Sequence, residues 1–217
     1  MRLRFDSKSN TGTAGTKKIE ETVPAERKKK KEPVSEKTLE EIILLLIEKG
    51  ATRGKIIDIE DIVVDERVRL KCRIPLCDSF DRNLMCPPRL PSLDEFRQAL
   101  SRFSGAILVQ VSAEFVGPGE AFRHAKTLHE LINLGEKEAF EAGFRFAAGL
   151  IGGCCRLCDV CVAADSGGAG EACRFPFKAR PSMEAMGIDV VATLESVGWP
   201  SGFPVTDRVT WTGLILV

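Results

Sequence analysis

The chain has 217 residues, 44% of them hydrophobic, which is enough for one well-packed domain or two small ones. Its 31 basic residues balance 31 acidic ones, so no global field draws in nucleic acid and neither DNA nor RNA is an expected partner. The longest purely apolar run, Ile42 to Ile47, is far short of a bilayer span. The start Met1-Arg-Leu-Arg-Phe-Asp-Ser-Lys8 lacks the apolar stretch of a secretion signal, so the eight cysteines are expected in a reducing cytoplasm.

Residues 1–34 carry Ser, Thr, Gly and charge without apolar periodicity and end near the run Arg27 to Lys31; they read as a solvated basic tail. A single Cys-rich metal-binding domain is expected over 35–217. Leu39, Ile42, Ile43, Leu46 and Ile47 recur at helical spacing, with Gly50 placed as the stop. From Lys55 to Ile74 the β-branched residues Ile56, Ile57, Ile59, Ile62, Val63, Val64 and Val68 predict two short strands. Ser92-Leu-Asp-Glu95 matches a capping box, and Leu93, Phe96, Leu100 and Phe103 mark the buried face behind it. A strand is predicted over Ala106 to Val111. A long helix is predicted from Gly119 to about Gly149, with Phe122, Ala125, Leu128, Ile132, Phe140, Phe144 and Ala147 inward and Gly135 a point of interruption. A helix with Ile188, Val191 and Leu194 inward stops at Gly198, and Val209 to Val217 closes as a strand. Strands interleaved with helices give an α/β or α+β fold, a small central sheet with flanking helices and two Cys-rich metal-binding loops.

The chemistry lies in the cysteines. Cys155-Arg-Leu-Cys158-Asp-Val-Cys161 has C-x2-C-x2-C spacing, and such gaps on a tight loop let successive thiolates converge on one iron–sulfur cluster. Cys173 completes the set. It follows a gap of eleven residues, unlike the short last gap of a bacterial ferredoxin run. Zinc is the alternative, although its usual paired knuckles are unmatched by three cysteines in a row, and plain thiols or disulfides are the remaining reading. The glycines Gly152 and Gly153 suit a backbone that turns tightly beside a cluster.

A second group, Cys72, Cys77 and Cys86, is one thiolate short of a shell. Either a fourth ligand arrives from elsewhere, or a cluster keeps an open iron that binds a small ligand. Cys154 is the spare thiol, with plain core packing as its other reading. His124 and His129 stand about 140° apart on one helix and cannot grip a metal together, so each reads as a surface or packed residue. Arg156, Arg174 and Arg180 neighbour the thiols and would offset a cluster's negative charge. No nucleophile elbow, phosphate loop, dinucleotide fingerprint or zinc-protease motif is present.

The order Cys72, Cys77, Cys86-Pro87-Pro88, then Cys155-x2-Cys158-x2-Cys161, then Cys173-Arg174-x-Pro176, then Ala179 through Val190 resembles the prokaryotic family of predicted metal-binding proteins designated domain of unknown function 2284. The resemblance spans about residues 36–217. It implies a metal or iron–sulfur protein of archaea and anaerobic bacteria and supplies no reaction. Cys154 departs from the pattern, since that position need not be Cys in such proteins. The expected function is single-electron transfer to a redox partner protein, through one or two [4Fe–4S] clusters on Cys155, Cys158, Cys161 and Cys173 and on Cys72, Cys77 and Cys86. An enzyme using an open iron at the upstream site and a zinc-stapled structural or carrier protein are the alternatives.

Overall fold

A computed structural model of the chain describes residues 36–114, 117–165, 172–203 and 207–217. The elements described belong to one compact unit, Val34–Val217. The basic tail expected over 1–34 lies outside the described residues.

Helix α1, Glu36–Glu48, is fixed by its apolar stripe: Leu39, Ile42 and Leu46 are buried, and Ile43 packs beside them. Ile47, expected inward, is 43% exposed, because it lies one step of about 100° round the helix from Leu46. Gly50, at φ 113°, turns the chain into strand β1, Arg53–Ile57.

The second strand expected before Ile74 does not form. Ile59–Asp61 is a turn of 3₁₀ helix, and Asp65 caps a short helix α2, Glu66–Leu70, its carboxylate accepting from the Arg67 N–H at 2.8 Å. Capping aspartates thus convert a β-branched stretch into two helical turns. The intervening residues bind elsewhere: the Val63 N–H donates to Thr193 Oγ1, and its carbonyl accepts from the Asp189 N–H.

The capping box forms as predicted. Ser92 Oγ accepts from the Glu95 N–H, and Glu95 Oε2 accepts from the Ser92 N–H, at the start of α3, Leu93–Leu100. Strand β2, Ala106–Glu114, follows, then α4, Pro118–Ala142. Gly135 does not interrupt α4. A Cβ there would meet the side chains of Ile215 and Leu46, so this glycine is what lets the helix lie close on its neighbours. The helix ends earlier than expected, at Gly143 (φ 110°), and Ala148–Leu150 becomes strand β3. Phe122 and Phe140 are exposed; the inward face is carried by Leu128, Leu131, Ile132 and Ala139. A single turn α5, Val162–Asp165, a 3₁₀ turn Glu184–Met186, helix α6, Val190–Ser196, and strand β4, Arg208–Leu216, complete the described elements.

The strands form one antiparallel sheet in the order β1-β2-β4-β3, with Val109 of β2 opposite Gly213 of β4. Successive residues face opposite sides. Ile107, Val109 and Ile215 meet α1 and α4, whereas Leu108, Leu214 and Leu216 meet α3, α6 and the segment around Met183 and Ile188. Burial on both faces explains why β2 opens on the continuous apolar run Ala106 to Val109. The fold is α+β.

Candidate metal centre

The downstream loop starts where β3 ends. Ile151 is held between the Pro181 carbonyl, to which its N–H donates at 3.0 Å, and the Met183 N–H, which its own carbonyl accepts at 2.8 Å. Gly152 then passes against β4, where a Cβ would stand 2.8 Å from the Thr212 carbonyl oxygen. Gly153 turns at φ 71°, against the ring of Trp211, and donates its N–H to Glu184 Oε2 at 3.3 Å. The positive φ anticipated beside the cysteines is present, and close approach to β4 is its second reason.

From this turn the two adjacent thiols diverge. Cys155 joins Cys158, Cys161 and Cys173 around a cleft of about 20 Å³, closed by Leu84, Met85 and Phe175. Cys154 instead joins Cys72, Cys77 and Cys86 around a cavity of about 300 Å³, which Glu184 also borders. A third cavity, of about 290 Å³, is bordered by Cys154, Cys155, Cys158 and Cys161 alike. All eight cysteines are free thiols. Among the described residues, no three His, Cys, Asp or Glu side chains are gathered so as to hold one metal ion.

Backbone bonds build the upstream wall. The Cys77 N–H donates to the Cys72 carbonyl at 3.1 Å, and the Cys86 N–H to the Asn83 carbonyl at 3.1 Å. Asp81, at φ 58°, donates its N–H to the Pro87 carbonyl and accepts Arg89 Nη2 at 2.7 Å, closing the loop that carries Cys77 and Cys86. Asn83 reaches across to the other loop, donating Nδ2 to the Cys155 carbonyl at 2.9 Å while its Oδ1 accepts from the Met85 N–H.

The electrostatics depend on depth. Burial pushes the Cys86 thiol up to about 12, with the thiols of Cys154, Cys77, Cys72 and Cys155 adding to the shift in that order. Burial likewise raises Cys72, whose nearest cationic influence is Arg69, and raises Cys155, against which the Leu157 N–H bond works. The Phe175 N–H reaches Cys173 Sγ at 3.4 Å. Amides aimed at sulfur favour the thiolate over the thiol, so the donor set of the downstream group suits a thiolate-bound metal or cluster.

The neighbouring arginines divide. Arg174 Nη1 donates to the Val160 carbonyl at 2.8 Å, tying the Cys173 segment to the Cys155–Cys161 loop, and Arg156 lies 4.0 Å over the ring of Phe122 at the edge of two of the cavities. Arg180 is engaged elsewhere, in a two-point ion pair with Glu136 at 2.6 and 2.7 Å. His129 is the packed kind, buried and bonded through Nε2 to the Lys178 carbonyl. Neither histidine lines a cysteine cavity among the described residues.

The four downstream cysteines thus line one cleft and the upstream three line another cavity. Asn83 and Glu184 at the upstream wall were not singled out as parts of it, whereas Cys154, the spare thiol of the sequence, does border it. The signal for Cys154 was the doublet itself, because neighbouring residues on an extended chain point to opposite sides.

No curated protein and no solved structure matches the chain. The profile of the family described as "predicted metal-binding protein (DUF2284)" spans residues 55–217, the stretch that carries every cysteine, and the chain belongs to that family.

Proposed function

We propose that this protein is a cytoplasmic iron–sulfur protein that passes single electrons to a partner protein, with a [4Fe–4S] cluster on Cys155, Cys158, Cys161 and Cys173. A second metal centre belongs to the wall formed by Cys72, Cys77 and Cys86. The observation that carries the reading is the convergence on one cleft of four thiols from two segments, two of them receiving backbone N–H bonds. A bound cluster supplies a one-electron couple, whose potential depends on hydrogen bonds to sulfur and on exposure. The chain's own part is to hold four thiolates, to aim the amides of Leu157 and Phe175 at them, and to shield one side with Leu84 and Met85. Val160 and Phe175, both partly or well exposed beside the thiols, offer apolar surface at which a partner can approach closely.

Zinc is the second reading, since four thiols lining one cleft also make up a complete zinc shell. Iron, zinc and acid-labile sulfide counts on anaerobically purified protein separate the two, together with paramagnetic resonance after reduction. Brown protein with iron and sulfide in equal amounts, and loss of about four irons in Cys158→Ala, are expected. Colourless protein loaded with zinc sinks the proposal.

A further inference from the structure

The upstream group looks one ligand short only in sequence. We propose that Cys154 is the fourth ligand of the Cys72, Cys77 and Cys86 centre, so that the neighbouring thiols Cys154 and Cys155 serve two different centres. The inference rests on the reading of these thiols as metal ligands, whatever the metal.

Two independent observations support it. Cys154 borders the same 300 Å³ cavity as Cys72, Cys77 and Cys86, while Cys155 faces the downstream cleft. Its backbone is held on both sides: Gly153 turns at φ 71° with its N–H on Glu184, and the carbonyl of Cys155 is held by Asn83. Asn83 belongs to the loop between Cys77 and Cys86, so the segments bearing Cys86 and Cys154 are bonded directly to each other.

Glu184 is the rival donor, because it borders the cavity and its charge reaches Cys72. Its Oε2 is already engaged by the Gly153 N–H. A fourth sulfur also matches the softness of the other three better than a carboxylate does. On binding, each of the four thiols releases its proton to solvent and donates a sulfur lone pair to the metal. A centre closed in this way leaves no ligand-exchange position, which favours electron transfer or a structural role over a substrate-binding iron.

The test counts metal per chain in wild type, Cys154→Ala, Glu184→Gln and Cys72→Ala, with melting curves to confirm folding. Cys154→Ala is expected to lose the same metal as Cys72→Ala and to keep the centre that Cys158→Ala removes, with Glu184→Gln at wild-type content. Wild-type content in Cys154→Ala, or a loss in Glu184→Gln that matches Cys72→Ala, overturns the assignment. Alkylation of loaded wild-type protein, read by mass spectrometry, covers a variant that fails to fold. Cys154 is expected to be protected until acid strips the metal, and labelling of Cys154 ahead of stripping overturns the assignment. Zinc in place of iron defeats the iron–sulfur reading yet leaves every one of these counts interpretable.

Discussion

Asn83 and Cys155 lie 72 positions apart and are joined by a 2.9 Å hydrogen bond from the amide of one to the carbonyl of the other. The oxygen of the same side-chain amide accepts the Met85 N–H, so one buried side chain fixes both cysteine-bearing loops. Removing it leaves a carbonyl and an N–H without partners, each costing about 1–3 kcal/mol.

Asn83→Ala is therefore expected to lower unfolding stability by roughly 2–4 kcal/mol and to speed the loss of metal to a chelator from both centres. Denaturant titration and chelator kinetics check this. Faster loss from one centre alone would show that the loops are held independently.

Glu136 and Arg180 form a largely buried two-point ion pair, and Glu136 Oε2 also accepts the Gly149 N–H at 2.8 Å. Glu136→Ala strands a buried guanidinium and is expected to cost about 3 kcal/mol. The Glu136→Ala, Arg180→Ala double variant should cost less than the sum of the two singles, and a double-mutant cycle from chemical denaturation measures the difference.

Gly152→Ala would set a methyl group 2.8 Å from the Thr212 carbonyl oxygen, which belongs to the sheet and cannot yield. Overpacking of this kind costs about 1–3 kcal/mol, and the displaced loop carries Cys154 and Cys155. The expected outcome is a lower melting temperature together with reduced metal content. A fully loaded Gly152→Ala protein would show that the loop can shift along β4 without disturbing the thiols.

Burial lowers the pKa of His129 below its ordinary 6.5, with the nearby Arg180 charge in the same direction and the Lys178 carbonyl and Glu130 opposing. The unfolded chain therefore takes up the proton first as pH falls. The stability His129 contributes is complete above about 6.5 and is lost as pH falls through its folded value. His129→Gln is expected to flatten this part of the pH profile, read as the difference in denaturant midpoint between pH 7 and pH 5 for wild type and variant. Equal slopes would show that groups other than His129 set the acid sensitivity.

Features set by local chemistry were legible in the sequence. The Ser92–Glu95 box, the stripe from Leu39 to Leu46 and the apolar run of β2 each follow from residues a few positions apart. That Cys155, Cys158, Cys161 and Cys173 line one cleft accords with their spacing, since three of the four share one loop. Failures came where distant residues decide. The stretch from Ile59 to Val68 has strand-like composition, but capping by Asp65 and the bonds of Val63 to Thr193 and Asp189 outweigh it. Gly135 looked like a break because its use, the close approach of Leu46 and Ile215, is written elsewhere in the chain. Cys154 was undecided because its role depends on where Asn83 and Cys86 arrive.

The strand order β1-β2-β4-β3 also sets a timetable. Because β4 is last of the strands in sequence and lies inside the sheet, a chain emerging from the ribosome holds β2 and β3 with no common neighbour until residues beyond 207 appear. Gly152 and Gly153 seat the cysteine loop on Thr212 and Trp211 of that strand. Every cysteine is thus synthesised before the surface that positions Cys154 and Cys155 exists. On the proposed assignment, loading is accordingly a late event, completed after the polypeptide has passed its final strand, and a nascent chain stalled ahead of β4 carries eight unseated thiols.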